Sequence, residues 1–369
     1  MKCIHCGSNS TYAVRKTNNG CCGSCKHPFA FEPKTDPQGI ADGMFQKMIS
    51  DVSGEGKLFF TEKQLWYEFN RRILKKKVVS CGAPAAAVLL GLILAPRLHS
   101  VWPAALGLAL TALSMMAAAR PARRKSAAPL YVRVPLAQFQ EAYLKKWKHV
   151  HGGIEKLLPP PAPATSRPVH TNPQPPWLDV SAYSFDRVLV TEHAETAAML
   201  IANKFHFENN CAILSLDGYP HDRFDTILEM LRRNPLLKIF ALHDATPRGS
   251  NMALSLRESR WFPDPALRII DLGLRPLHAQ KAGMVLQKTA PLTLPPTVRS
   301  TLTAEELAWL AAGNIAEVEA VRPAKLMRAI YQGLARANQM GDNPQDDDGG
   351  TTIWIYDSNV DIYASDSFG

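Results

Sequence analysis

Two sets of residues in this chain have the types and spacing that chemistry requires. The first is Cys3-Ile-His-Cys6 with Cys22-Gly-Ser-Cys25. Each Cys-x-x-Cys puts two thiolates on one tight turn, and two such turns complete a tetrahedral sulfur site suited to Zn2+. Four thiolates leave no open coordination position, so the expected zinc is structural. Its binding would supply folding free energy that so short a stretch cannot draw from a core. A site using Cys21 in place of Cys22, or a pair of free-thiol turns, is the alternative. The second set is a pair of acids. Glu192 ends the run Arg187-Val-Leu-Val-Thr-Glu192, and Asp244 ends Leu236-Leu-Lys-Ile-Phe-Ala-Leu-His-Asp244. Carboxylates at the carboxyl ends of parallel strands line the ligand crevice of an open sheet. Two of them could converge there on a hard cation such as Mg2+.

The elements that would position those acids follow from the pattern between Phe185 and Leu256. Three short apolar runs, the middle one Cys211-Ala-Ile-Leu-Ser-Leu216, alternate with two amphipathic stretches. That alternation predicts βαβ units and a mostly parallel sheet. Leu267–Leu272 reads as a fourth strand. Thr303-Ala-Glu-Glu306 opens a helix with a capping box, and Pro323–Arg336 is the last long helix. Arg248 stands in the loop after Asp244, as an anion contact or as an ordinary surface arginine. His193 and His243 flank the two acids. A strand residue next to an inward carboxylate points to the opposite face, so neither histidine is assigned as a ligand.

The 369 residues suffice for two or three folded units, and the formal charge of +9 favours polyanionic partners, nucleic acid or an anionic membrane face. Five of the seven cysteines lie before residue 26, which fits a metal site in a reducing compartment. Residues 34–77 read as helical, with a capping box at Thr61-Glu-Lys-Gln64. Val78–Ala95 and Val101–Ala119 are two nearly uncharged apolar runs, each close to the length that spans a bilayer. Lys75–Lys77 precede them, and Arg120, Arg123, Arg124 and Lys125 follow. By the positive-inside rule they predict a two-pass transmembrane hairpin over residues 78–119, with both termini cytoplasmic. The expected location is a bacterial-type inner membrane, with its lipid as a partner. Residues 120–157 form a second helical segment, and 158–178 a proline-rich linker. An α/β domain occupies 179–340, and 341–369 is an acidic tail with a terminal strand.

These motifs carry a resemblance. Glu192 after the first strand, Gly218-x-Pro220 after the second, and Asp244-Ala-Thr-Pro-Arg-Gly249 after the third are similar to a Toprim domain, in the version found in the A subunit of topoisomerase VI. The resemblance covers roughly residues 185–340, with Ile315–Leu326 similar to the family's C-terminal helical end. It implies Mg2+ held by Glu192 and Asp244, with the loop positions 246 and 248 at the bound group. The family's second aspartate is Thr246 here, and a hydroxyl brings no charge to a cation. Thr61-Glu-Lys-Gln-Leu-Trp-Tyr67 resembles the family's winged-helix motif, Thr-x-Arg-Asp-aliphatic-Tyr-Tyr. Lys63 stands for its arginine, Gln64 for its aspartate and Tyr67 for its nucleophilic tyrosine. Packing of Trp66 and Tyr67 at a helix contact is the competing reading.

The expected fold is therefore a multidomain α/β chain: zinc ribbon (residues 1–33), helical segment with transmembrane hairpin, and C-terminal Toprim-like domain. The expected function is metal-dependent cleavage or transesterification of DNA at the membrane, with Glu192, Asp244 and Tyr67 catalytic. Topoisomerase-like chemistry would make a dimer plausible. The alternative is a non-catalytic tethered adaptor whose degenerate Toprim fold and zinc ribbon bind nucleic acid or a protein partner.

Overall fold

The computed structural model describes residues 1–75, 129–162, 185–234, 237–262 and 267–339. Residues Met1–Arg71 with Pro129–Gly369 form one compact unit and Arg72–Ala128 another. Only 72–75 of the second are among the described residues.

The N-terminal ribbon is two knuckles joined by the short helix α1 (Tyr12–Thr17). Each knuckle is closed by one antiparallel bridge, Lys2↔Asn9 and Cys21↔Pro28. Asp42 opens α2 (Asp42–Val52) and is fully buried. Its two carboxylate oxygens accept the N–H groups of Ala30 and Phe31, each at 2.9 Å, which seats the ribbon on the helical layer.

That layer is α2, α3 (Glu62–Lys75) and α4, which runs Leu136–Phe139, through a π turn at Gln140–Leu144, into Lys145–His151. Aromatic side chains recur at helical spacing and interlock. Phe69 lies 4.5 Å from Tyr143 and 5.2 Å from Phe139, and Phe45 lies 4.9 Å from Trp147, ring centre to ring centre. The reciprocal cap at Thr61 and Gln64 is formed, at 2.9 and 3.2 Å. Asn70 clamps the chain where it returns at Arg133 and Val134, accepting both N–H groups at 2.9 Å.

The larger sheet contains β2 (Arg187–Thr191), β3 (Cys211–Ser215), β4 (Lys238–Leu242) and β5 (Arg268–Asp271). All pairings are parallel, in the order β3-β2-β4-β5. Leu189 stands opposite both Ile213 and Phe240. These strands are buried on both faces, which is why they read as continuous apolar runs without alternation. A smaller sheet is built from β1 (Leu130–Tyr131), β6 (Val285–Lys288) and β7 (Asn314–Ile315), in the order β1-β6-β7. β1 is parallel to β6, and β7 is antiparallel. The bridge Ala245↔Ala316 ties the loop after β4 to the segment after β7. One mostly parallel sheet is therefore too simple a description: the smaller, mixed sheet recruits a strand from before the proline-rich stretch.

The transmembrane part of the expected fold is corrected. Among the described residues no helix is long and apolar enough to cross a membrane. The longest, Pro323–Gln339, has 17 residues and reaches about 26 Å, short of a hydrocarbon core of about 30 Å. The hairpin assigned to 78–119 lies outside the described residues, as do most of the linker 158–178 and the tail 341–369. The two-pass inner-membrane location and the lipid partner rested on that hairpin and are withdrawn with it.

One buried ion pair gives a pH-dependent test of the fold. The helix Ala304–Ala311 opens with a formed capping box, Thr303 with Glu306. Arg275 donates to Glu306 Oε1 at 2.6 Å, and the Glu306 side chain is 3% exposed. Burial alone would raise this carboxyl, but Arg275 and Thr303 outweigh it and hold the pKa below its ordinary value. A depressed carboxyl contributes stability above its unfolded pKa of about 4.3, and that contribution is lost as pH falls through the lower folded value. Glu306→Gln is expected to cost about 2–3 kcal/mol near pH 7, because Arg275 loses its partner. The difference from wild type should shrink near pH 3, read from urea midpoints at the two pH values.

Candidate functional site

The four ribbon thiols come together. Cys3 Sγ lies 3.8 Å from Cys25 Sγ, and Cys6 Sγ lies 3.7 Å from Cys22 Sγ. Four sulfurs about 2.3 Å from a central Zn2+ would be separated by about 3.8 Å, so the spacing fits a tetrahedral metal site. Cys21 is outside the cluster, its thiol directed to the Asn19 carbonyl. Hydrogen bonding from Ser8 holds the Cys22 thiol down, at about 5. Cys25 moves the other way. A backbone hydrogen bond at His27 favours its thiolate, but desolvation and the sulfurs of Cys6, Cys3 and Cys22 push it up to about 12. Four thiolates in one small volume need a cation among them. Cys3, Cys6, Cys22 and Cys25 could hold a metal ion, and the set is consistent with zinc.

The second cluster sits where the chain order of the parallel sheet reverses. From β2 the chain crosses to β3 on one side, and β4 then pairs on the other side of β2. Open parallel sheets bind ligands at this kind of switch point. Glu192 and Asp244 stand there, 4% and 2% exposed, and the Asp244 N–H donates to Glu192 Oε2 at 3.0 Å. His193 Nε2 lies 3.1 Å from Asp244 Oδ2. Glu192, His193 and Asp244 each offer one ligand atom within 4.8 Å of the others. His193 joins because Glu192 and His193 follow the last residue of β2, Thr191, and precede a helix. Strand alternation no longer governs them. His243 turns away, with its Nε2 3.0 Å from Asp271 Oδ1.

Sequence reasoning missed the other half of the cluster, which comes from the segment after β7. Val318 donates its N–H to Asp244 Oδ1 at 2.7 Å. Its neighbours Glu317 and Glu319 flank the site: Glu319 Oε1 accepts from Thr196 at 2.9 Å, and Glu317 Oε1 lies 3.7 Å from Lys63 Nζ. The stretch Ile315–Leu326, similar in sequence to a family's C-terminal helical end, begins at the end of β7, passes through the 3-10 turn Val318–Ala320 and enters the last helix at Pro323. The available signal was Glu317-Val-Glu319, two acids set into an otherwise apolar run.

Tyr67 reaches the same cluster from α3. Its hydroxyl donates to Glu317 Oε2 at 3.1 Å and accepts from Gln287 Nε2 at 2.9 Å. Lys63 lies one helical turn earlier on the same face. The Tyr67 side chain is fully buried, and burial together with the Glu317 charge raises its pKa well above the ordinary value. Thr246 turns its hydroxyl into its own loop, accepting from the Gly249 N–H at 2.8 Å. Arg248 is at the surface, 3.6 Å from Asp217.

Electrostatics divide the cluster. Burial raises the carboxyls of Glu192, Asp244 and Glu317, and for Glu192 the neighbouring Asp244 charge adds to it. The hydrogen bond to Asp244 raises His193 to about 9. Burial would lower the Lys63 pKa, but Glu319, Glu317, Asp244 and Glu195 hold it above its ordinary value. Three buried carboxyl groups, Glu192, Asp244 and Glu319, and the half-buried Glu317 thus gather around one ammonium and one imidazolium, more acids than bases.

Gly249 is a close approach that only glycine permits. A Cβ there would lie 2.2 Å from the Asp244 carbonyl oxygen and 2.7 Å from Glu192 Oε2. Gly249→Ala is expected to cost about 1–3 kcal/mol through overpacking. It should also displace Glu192, so that divalent-cation affinity falls together with the melting temperature.

Comparison with protein-family models and with curated proteins gives no match.

Proposed function

We propose that the protein is a divalent-cation-dependent enzyme acting on phosphodiester bonds of DNA, with a structural zinc ribbon at its N-terminus. The observation that carries this reading is the meeting of Glu192, His193 and Asp244 at the switch point of a parallel sheet, on the side where such sheets bind ligands. The donor set fits a hard cation: two carboxylates lie within one small span, with His193 holding Asp244 in place. The resemblance of these strand ends to a Toprim domain and the net charge of +9 support DNA as the substrate class.

Bound Mg2+ would supply electrostatic stabilisation of charge on a scissile phosphate. Glu192 and Asp244 hold that position, and Asp244 is itself oriented by the Val318 N–H and by His193. Glu317 accepts a hydrogen bond from the Tyr67 hydroxyl and would receive its proton if Tyr67 attacks phosphorus, the bond from phosphorus to one sugar oxygen breaking and that oxygen leaving as the free strand end. In the ribbon, Cys3, Cys6, Cys22 and Cys25 would hold Zn2+ with every coordination position filled.

A second reading, a non-catalytic adaptor, is favoured by two observations: Tyr67 is closed off from solvent, and Thr246 spends its hydroxyl on its own turn. Incubation of the full chain with supercoiled DNA and Mg2+ or Mn2+ separates the two. Nicking that disappears in Glu192→Gln supports the enzyme, and a covalent protein–DNA adduct lost in Tyr67→Phe identifies transesterification. Intact DNA under both metals, with Glu192→Gln indistinguishable from wild type, favours the adaptor.

A further inference from the structure

Away from the cation cluster, β3 is an edge strand with a groove beside it. Among the described residues it pairs with β2 alone and ends the sheet. Backbone groups along a strand alternate between its two edges. Leu216, just past β3, donates inward to the Thr191 carbonyl, and Ser215 donates to the Tyr219 carbonyl of the following turn. By that alternation the Ile213 N–H faces the open edge. A cavity of about 430 Å3 lies there, lined by Ala212 and Ile213 of the strand, Ile201 and His206, and Thr226 and Ile227 of the helix Phe224–Arg232. The chain reaches β3 through the helix Ala194–Ala202 and leaves it through Phe224–Arg232, crossing the sheet in opposite directions. Right-handed crossovers then put the two helices on opposite faces, so the groove has a wall on each side. Its lining holds a loose end: His206 Nδ1 is buried with no hydrogen-bond partner. The next residue, Phe207, is 82% exposed.

We propose that this groove is the docking site of the chain's own segment Thr351-Thr-Ile-Trp-Ile-Tyr356, added to the sheet as a strand beside β3. An edge strand is a template for one more strand, and the open Ile213 N–H is the point at which it pairs. Helices on both faces demand a strand that is apolar on both. Strand alternation puts Ile353 and Ile355 on one face of the segment and Trp354 and Tyr356 on the other, which meets that demand. Its β-branched and aromatic residues favour the extended backbone. The chain outside the described residues is long enough. The last helix, Pro323–Gln339, packs Gly333 against Leu272 just past β5, and eleven residues separate Gln339 from Thr351. Extended, they span up to about 36–40 Å, whereas β5 and β3 are three strand spacings apart, about 14 Å. The proposal does not depend on the cation reading given above.

The test is amide hydrogen exchange at Ile213 in the full chain, comparing wild type with Trp354→Asp in the segment and Thr226→Asp in the groove. Thr226 is an exposed helix position, so its replacement leaves the core alone. Exchange at Ile213 is expected to be about tenfold or more faster in each variant, with the inward amide of Leu214 unchanged. A synthetic peptide of residues 349–358 added to Trp354→Asp should restore slow exchange, and the same peptide carrying aspartate at position 354 should not. Equal rates at Ile213 in wild type and both variants overturn the proposal. Faster exchange in Trp354→Asp at β5 instead of Ile213 also overturns it, by placing the segment on the other edge. Protection in wild type that disappears on dilution assigns the strand to a second copy and overturns docking within one chain.

Discussion

Replacing Cys22 by serine is expected to release metal from the ribbon and to unfold it, the largest single-residue effect anticipated for this chain. The ribbon has only a small core of its own. Each knuckle is closed by a single bridge, and the buried side chains between Met1 and Phe31 are Cys3, Ser10, Arg15, Cys22 and Phe31. Metal binding to a set of four thiolates is worth roughly 10–16 kcal/mol near neutral pH, far more than the stability such a segment could otherwise reach. Metal analysis should show about one zinc per chain in wild type and none in Cys22→Ser. Limited proteolysis should then cut within residues 1–33. Strong chelation of the wild type should give the same cleavage pattern, whereas Cys21→Ser should retain its metal, because Cys21 lies outside the cluster. The helical layer would feel the loss through Asp42, whose carboxylate accepts from Ala30 and Phe31 and would be left with His151. A ribbon that stays folded and protease-resistant without metal would sink the zinc assignment.

Glu192→Gln should abolish divalent-cation binding while leaving the fold intact, and that combination makes the result informative. The amide oxygen of glutamine can still accept the Asp244 N–H that Glu192 Oε2 accepts now. What disappears is a charge that burial and the Asp244 carboxylate already disfavour. Metal-free thermal stability should therefore stay level or rise. Mn2+ affinity should fall by about 10²-fold or more, since loss of an outer-shell partner alone typically costs 10–100-fold. A hundredfold loss corresponds to about 2.7 kcal/mol of binding free energy. DNA cleavage, if it occurs, should fall with the metal affinity. A variant that binds Mn2+ like wild type would show that the two acids serve only to hold the loop after β4 against the turn after β7.

How much of this was legible beforehand depended on whether the signal was local. The spacing of Cys3, Cys6, Cys22 and Cys25 is a local pattern, and the thiols do come together. The apolar runs at 187–191, 211–215 and 238–242 are local as well, and they form adjacent parallel strands. Glu192 and Asp244 were identified because strand ends can be read from composition, and the ends of neighbouring parallel strands share one edge. His193 escapes period-two alternation because the strand ends two residues earlier, at Thr191, and a helix takes over at Ala194. Lys63, Glu317 and Glu319 left no such trace, since their role comes from contacts across more than a hundred residues of chain.

What the amino-acid order determines by itself is therefore the inventory of elements and the two thiol turns, because backbone propensity and side-chain periodicity act over a few residues. Only the tertiary structure decided that one helix face brings Lys63 and Tyr67 to Glu317, and that the turn after β7 joins that residue's segment to Asp244. Buried charge is the physical reason. A carboxylate reveals nothing in sequence about whether water, a lysine or a metal will balance it. That is settled when distant segments pack together and exclude the solvent.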